Sequence, residues 1–383
     1  MLIQIVINTE VSKIKKKILF GITSLDFGGA ERVLVDLANK ISNDYDVRIF
    51  TIYGNGGLLD DLNPKVKVRS MYQMKYTDLS RFQRLKSTFK ILFFGRYMYK
   101  KYIMDDSEVQ IAFLEGPITR LFSNNKEKKK IAWIHNDIKN VFGNSWKSSL
   151  KKKIDHKVYK KYDRLVFVSK DNMESFKSEY EDISSDKMSV IYNYLNADLV
   201  REKAENGDVC ASFKNDKNLK FVSVCRLVEQ KAIDRFVNVH SKLIKDGYKH
   251  TVYIIGDGPE HSRLKELIQT ENVEDTFILL GKNKNPYPYI KQADFFCLLS
   301  YYEGYGMVIE EAKILNKKII ITNTAAREAL ADYDNSIIID NDENGIYEGI
   351  KNLVVNKNEF FKNDNYVFDN SNCIGKVIEL IEK

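Results

Sequence analysis

Short apolar runs and amphipathic helical patterns alternate along almost the whole chain, and this alternation limits the fold more than any other feature. KKILFGIT (residues 16–23) is a strand-like run, and GAERVLVDLANKIS after it carries apolar residues at helical spacing. Further strand-like runs are YDVRIFTIY, KVKVRSMY, EVQIAFLE, KKIAWIHN, DRLVFVSK and MSVIYN, with helical patterns between most of them. RFQRLKSTFKILFFGRYMYKKYI (81–103) reads as one long helix. Strands that alternate with helical crossovers pair in parallel and take helices on both faces, which is the α/β doubly wound arrangement. After Asn193 the pattern lapses into a polar stretch and then restarts with LKFVSVCRL, a helix from about Ala232 to Lys245, HTVYIIGDG, TFILLGK, ADFFCLLS, KKIIITN and NSIIID. A length of 383 residues suits two such domains. The expected division is 1–195, 196–365 and a closing helix, 366–383, packing back on the first domain. Two Rossmann-like domains of this kind face each other across a cleft, and ligands in open α/β sheets bind at the carboxyl ends of the strands.

Several function classes fall away. No 18-residue apolar run is present, so no membrane-spanning helix is expected. The opening MLIQIVINTE has no basic lead and no small-residue cleavage site, so it is not expected to act as a signal peptide. Cys210, Cys225, Cys297 and Cys373 are far apart and form no CxxC or Cys/His group, which fits a reducing cytoplasm without a disulfide frame or a zinc site. Charge is uneven. Residues 1–190 hold 35 Lys and Arg against 23 Asp and Glu, a net +12, and the remainder is net −5. A basic half points to an anionic partner: nucleic acid, a membrane surface or a phosphorylated substrate. No nucleic-acid-binding module is visible, so nucleic acid is not expected.

The candidate chemistry sits at strand ends. EGYGMVIEEA (303–312) follows a buried-type run. Gly304 and Gly306 allow a sharp turn and a close backbone approach. The helix starting near Met307 and Val308 turns free N–H groups toward the loop, an arrangement suited to a diphosphate. Glu303 lies in that loop, and Glu311 in the second helical turn can accept two hydrogen bonds from a sugar diol. Glu310 stands beside it, and only spacing chooses between them. CRLVEQKAIDRF (225–236) places Arg226 and Lys231 at a strand end, as a forked cation and a point charge for a diphosphate. GDGPE (256–260) reads as a tight turn. Gly28 and Gly29 follow the first strand, and His135 ends the strand in IAWIHND.

In this order GGAER, WIHND, RL…QK, GDGPE and EGYGMVIEEA resemble the retaining nucleotide-sugar glycosyltransferases of the GT-B fold, family 4 type, which include bacterial enzymes of capsule, lipopolysaccharide and glycolipid assembly. The resemblance spans nearly the whole chain, apart from about the first twelve residues. It implies that Glu303 and His135 act at the donor sugar and that Glu311 holds the ribose hydroxyls. It assigns Arg226, Lys231, Gly304, Tyr305, Gly306, Met307 and Val308 to donor binding, puts Asn283 near the base, and makes Gly28 and Gly29 a phosphate or acceptor loop. Two positions depart from the pattern: Cys225 and Ala232 stand where the family often has glycine.

The implied reaction moves a sugar from a nucleoside diphosphate, UDP by resemblance, to a hydroxyl of a glycan or lipid-linked glycan, keeping the anomeric configuration. Cations and helix amides would stabilise the leaving diphosphate, so neither a metal nor another cofactor is expected. A nucleotide-sugar epimerase and a non-catalytic GT-B partner subunit are the rival readings. GGAER argues against the first, and the presence of Arg226, Lys231 and Glu303 against the second.

One further pattern bears on location. Residues 79–104 hold no acid but contain Arg81, Arg84, Lys86, Lys90, Arg96, Lys100 and Lys101. Phe82, Leu85, Phe89, Leu92 and Phe93 share one helical stripe. A basic amphipathic helix with aromatic anchors suits an anionic headgroup region, which would place the protein peripherally on the inner face of the cytoplasmic membrane. The competing expectation is that the stripe packs on the sheet.

Overall fold

The computed structural model describes residues 15–26, 28–138, 146–356 and 366–383. The opening MLIQIVINTE therefore lies outside the described residues. By contacts, the chain forms two compact units, Met1–Trp133 with Ile154–Leu165 and Ile134–Lys153 with Val166–Lys383.

All the expected strands are present. They are β1 (Lys17–Ile22), β2 (Asp46–Tyr53), β3 (Lys67–Tyr72), β4 (Val109–Ala112), β5 (Lys129–Ile134), β6 (Arg164–Phe167) and β7 (Met188–Val190), then β8 (Lys220–Val224), β9 (Thr251–Ile255), β10 (Phe277–Gly281), β11 (Phe295–Leu298), β12 (Lys318–Thr322) and β13 (Ser336–Ile339). The first seven form one sheet in the order β3-β2-β1-β4-β5-β6-β7, and the other six form a second in the order β10-β9-β8-β11-β12-β13. The fold is thus α/β with two Rossmann-like parallel sheets. In each sheet the chain winds outward in one direction, returns to the centre and winds out in the other. The reversal lies between β1 and β4 in one sheet and between β8 and β11 in the other. At such a switch point the loops after neighbouring strands diverge and leave a crevice. β8 and β11 pair in parallel, Phe295 beside Phe221, so their carboxyl ends point the same way.

The strands form because their residues are continuously apolar, as burial on both faces demands. Within β9, Thr251–Ile255 is buried throughout, as is Phe295–Leu298 in β11. Helix α1 (Gly29–Ile41) turns Val33, Leu34 and Leu37 inward. In the second unit the helix Ile233–Lys245 lays Phe236, Val237 and Leu243 on a core shared with Phe221, Val252, Ile254 and Phe295.

Two expectations change on the structure. The helical stretch 81–103 is not continuous. Helix α2 (Arg81–Phe93) ends where Phe94 leaves helical geometry at φ −119°, ψ 24°, just before Gly95. A short turn, Gly95–Met98, and a wider π-type turn, Tyr99–Ile103, follow. The α2 stripe does not pack on the sheet either. Its inward residues are Ser87 and Ile91, whereas Phe82, Leu85, Phe89, Leu92 and Phe93 are exposed. The closing helix, Ser371–Glu382, is present, and its neighbours include residues 192–195. Asn370 donates to the Leu195 carbonyl at 2.7 Å, and Cys373 Sγ donates to that of Tyr192 at 2.9 Å.

Candidate active site

The crevice-forming ends of β8 and β11 carry the candidate residues of the second unit. After β8 the chain runs through Cys225, Arg226 and Leu227 into a 3-10 turn, Glu229–Lys231, and then the helix Ile233–Lys245. Between turn and helix Ala232 takes φ 51°, ψ 37°, a left-handed conformation that suits glycine better than alanine. The family's frequent glycine at this place thus answers a backbone need that Ala232 meets at a cost of about 1 kcal/mol.

Main-chain bonds hold this turn on both sides. Toward β9, Cys225 N–H donates to the Ile255 carbonyl (3.0 Å), Leu227 N–H to that of Asp257 (3.1 Å), and Glu260 N–H to that of Leu227 (3.1 Å). A Cβ on Gly256 would lie 1.8 Å from the Cys225 oxygen, and one on Gly258 2.2 Å from the Leu227 oxygen. The glycines of GDGPE are therefore required by the close approach of two turns. Toward β11, Tyr301 N–H donates to the Gln230 carbonyl and, joining the main-chain bonds, the Gln230 side-chain amide donates to the Tyr302 carbonyl, each at 2.9 Å. Arg235, which sequence reasoning passed over, reinforces this side. Its guanidinium donates to the Leu299 carbonyl (2.9 Å) and lies 4.4 Å from the centre of the Tyr301 ring.

These constraints bring Lys231 against Glu303. Lys231 Nζ lies 2.5 Å from Glu303 Oε1, and the buried Ser300 hydroxyl donates to the same oxygen at 2.5 Å. Ser300 was not foreseen; a lone serine at a strand end carries no local signal. Arg226 is exposed, and its guanidinium makes no hydrogen bond or ion pair among the described residues. One cation beside β8 is thus held by a carboxylate while the other remains available.

The glycine loop is closely fitted. A Cβ on Gly304 would lie 3.0 Å from the His135 carbonyl oxygen, and the Ser169 hydroxyl donates to the Gly304 carbonyl at 3.3 Å. Asn172 also donates to the His135 carbonyl, at 3.4 Å. His135 is thus beside the loop within the second unit. Burial of its ring nitrogen pushes its pKa down to about 3, so the imidazole is neutral at physiological pH. Gly306, at φ 76°, precedes the helix Met307–Ile314, and its Cβ would crowd Ile309, Leu298 and Ala326 at 3.0–3.3 Å. The first turn of that helix, with Met307 and Val308, has N–H groups that no helical carbonyl can satisfy.

The two adjacent glutamates separate physically. Glu310 is buried, accepts from the Tyr305 hydroxyl at 2.6 Å and lies 3.2 Å from Lys313 Nζ. Burial raises its pKa, with Lys313 and the Tyr305 hydroxyl pulling the other way. Lys313, itself buried, also donates to the Ala329 carbonyl and Asp332, each at 2.7 Å. Glu311, rotated by 100° along the helix, is partly exposed and accepts from the Tyr287 hydroxyl at 3.1 Å. The Tyr305 side chain is interior: it is buried and stacks on Tyr192 with ring centres 5.4 Å apart. Only its backbone belongs to the loop surface. Glu328, also unforeseen, accepts from the Tyr192 hydroxyl (2.7 Å) and from the Lys170 N–H (2.8 Å) at the start of the helix Lys170–Glu179.

Other candidates stand apart. The Asn283 side chain accepts from Asn285 N–H at 2.9 Å and so serves its own turn after β10. Gly28 and Gly29 belong to the first unit. Gly28 precedes α1 in extended geometry, and the Glu31 carboxylate fills the place a Cβ there would take, 2.2 Å away. Burial raises the Glu31 pKa, and Asp26 and Glu115 add to the effect.

Residues 210–365, which hold Arg226, Lys231, Glu303 and Glu311, match the family described as glycosyl transferases group 1. The chain is 26% identical over 342 residues, 87% of its own length and 88% of the relative's, to an N-acetylgalactosamine-N,N'-diacetylbacillosaminyl-diphospho-undecaprenol 4-alpha-N-acetylgalactosaminyltransferase of Campylobacter jejuni. Among solved structures, TarM superposes with a TM-score of 0.73 at 14% identity, covering 97% of this chain and 99% of that one. Anabaena HepE in complex with UDP-glucose gives a TM-score of 0.71 at 14% identity, with 96% and 99% covered. Residues 210–365 are thus similar to the group 1 glycosyl transferases, and the chain has the fold of the GT-B glycosyltransferases.

Proposed function

We propose that this protein transfers a sugar from a nucleoside diphosphate, UDP in particular, to a hydroxyl of a glycan or lipid-linked glycan, with retention of anomeric configuration, in the synthesis of cell-surface polysaccharide or glycoconjugate. The observation that carries the reading is the placement of Arg226 and the Lys231–Glu303 pair at the two strand ends that flank the switch point, beside the start of the helix Met307–Ile314. The name of the Campylobacter relative, an N-acetylgalactosaminyltransferase acting on a diphospho-undecaprenol glycan, supports a hexosaminyl donor and a lipid-linked acceptor. UDP-glucose in the HepE structure supports a UDP carrier.

The chemistry follows from charge. As the bond to the diphosphate breaks, the sugar carbon becomes cationic and negative charge gathers on the leaving group. Arg226 and the first-turn amides receive that charge, and Lys231 turns from Glu303 toward the phosphates. Such fixed charges and dipoles are commonly the largest catalytic contribution. Glu303, released from its partner, then faces the developing cation. His135, neutral, exchanges hydrogen bonds with a sugar hydroxyl and carries no charge. Glu311 accepts from the ribose diol. The cations and amides do the work a metal would otherwise do, so the reaction needs none.

A thermal-shift panel of UDP-, GDP- and ADP-sugars, followed by product analysis by NMR in excess EDTA, tests the proposal. A UDP-sugar should raise the melting temperature, and an α-linked donor should give an α-linked product with EDTA present. Stabilisation by none of the sugars, inversion, or loss of activity restored by magnesium or manganese would overturn the corresponding part.

A further inference from the structure

Helix α2 lies outside the segment that matches the family, and its outer face is unlike an ordinary solvated surface. Phe82 is 74% exposed, Phe93 70% and Leu85 65%, and Phe89, Leu92 and Phe94 join them. Phe89 sits within 4.6 Å of Phe93 and 6.2 Å of Phe94 by ring centres, so the patch is contiguous. Large contiguous apolar patches on a protein surface mark a contact with something. The helix is also firmly built in this orientation. Ser80 and Gln83 form a reciprocal capping box at its start, and Ser87 and Ile91 face inward on the side opposite the patch.

Charge identifies the occupant. Between residues 79 and 104 there is no acid. Arg81, Lys86, Lys90, Arg96 and Lys100 make no hydrogen bond or ion pair among the described residues. On the helix, Lys86 and Lys90 border one side of the aromatic stripe and Arg81 the other. Arg84 is different. It points inward, over the Tyr76 ring at 4.5 Å and donating to the Thr77 carbonyl at 2.9 Å, and so is spent within the fold. A protein partner's surface of mixed charge leaves five unneutralised cations unexplained, whereas an anionic lipid surface neutralises all of them and takes the aromatic rings at its headgroup boundary. No described helix is long and apolar enough to cross a membrane, so the contact is with the surface.

We propose that the outer face of α2 docks on an anionic lipid bilayer, with Phe82, Leu85, Phe89 and Phe93 entering the headgroup boundary and Arg81, Lys86 and Lys90 paired with lipid phosphates around them. This does not rest on the transferase reading: turnover on a water-soluble acceptor tests one, and vesicle binding tests the other. In flotation, the full chain should bind phosphatidylglycerol/phosphatidylcholine vesicles and not phosphatidylcholine alone, and high salt should release it. Each basic residue contributes roughly a factor of five near an anionic surface. Arg81→Glu/Lys86→Glu/Lys90→Glu should therefore weaken binding by at least about 100-fold. Phe82→Ser/Phe89→Ser/Phe93→Ser removes only exposed side chains, should leave the melting temperature unchanged, and should also abolish binding. Equal binding to both vesicles, or none at low salt, would overturn the proposal. So would a concentration-dependent dimer that the phenylalanine variant disperses, since a second copy would then be the occupant.

Discussion

The neighbouring glutamates Glu310 and Glu311 should give opposite phenotypes when each is changed to glutamine, and the structure sets the size of each. Glu310 loses two charge-assisted contacts, the Tyr305 hydroxyl at 2.6 Å and Lys313 at 3.2 Å. Lys313 keeps the Ala329 carbonyl and Asp332, so its charge is not stranded. A hydrogen bond to a charged group contributes about 1.5–3 kcal/mol, and glutamine retains part of one acceptor, so Glu310→Gln should cost about 2 kcal/mol of stability. Glu311→Gln keeps an oxygen for the Tyr287 hydroxyl and sits at a partly exposed position, so its stability should change by less than about 0.5 kcal/mol. It loses instead the charge that would hold two ribose hydroxyls, which should weaken nucleotide binding by about 10- to 150-fold. Urea denaturation and calorimetric titration with UDP, run on both variants, decide the matter. If Glu310→Gln weakened UDP while keeping its urea midpoint, or Glu311→Gln lost stability while binding normally, the assignment of inward and outward carboxylates would be wrong.

Three further outcomes follow from described geometry. Lys231→Met alone should leave the Glu303 carboxylate buried with only Ser300 and cost about 2–3 kcal/mol, while Lys231→Met/Glu303→Gln should recover most of that stability but no transfer; a double mutant no more stable than the single would refute the pairing. Gly256→Ala, at φ 147° with its Cβ 1.8 Å from the Cys225 oxygen, should lower stability by at least about 3 kcal/mol in urea, and a neutral result would mean the two turns are not in contact. His240 and His250 are buried and joined at 2.9 Å, with desolvation pushing their pKa values to about 2 and about 4. The folded state holds them neutral while unfolded imidazoles protonate below about 6.5, so their stabilisation is present above that pH and lost as pH falls toward 4, at up to about 1.4 kcal/mol per pH unit for each. A urea midpoint no less steep in His240→Gln/His250→Asn would refute this.

The fold was legible because its signals are local. A run such as FFCL reports burial on both sides by its own composition, and each such run proved to be a strand. The break after Phe93 was less legible: Gly95 is visible, but nothing nearby says that Phe94 departs from helical geometry while the chain remains helical on both sides. At the candidate site, spacing brought out Glu303, Lys231 and Arg226, because loops after adjacent parallel strands must meet. It could not bring out Ser300, Tyr287 or Glu328. The Glu328 carboxylate meets the Lys170 N–H across 158 residues of sequence, and such a pairing depends on how whole elements pack. The same reason explains why spacing alone had to choose between Glu310 and Glu311: which one faces inward depends on Tyr305 and Lys313, whose own positions the packing decides.

The fit of Gly256 and Gly258 against the carbonyls of Cys225 and Leu227 bears on how this protein can be re-engineered. The backbone beneath Arg226 is held by main-chain bonds to a second turn, and side-chain identity at 226, 228 and 229 plays little part in that hold. A library varying those positions can therefore keep its scaffold while searching for new nucleotide preferences, provided residues 256–258 are left alone. Transplanting the 225–232 turn from a relative is a different operation. Donor and recipient turns meet a partner shaped to sub-ångström tolerance, so the graft must carry the turn after β9 with it. The pair is the smallest exchangeable part of this side of the site.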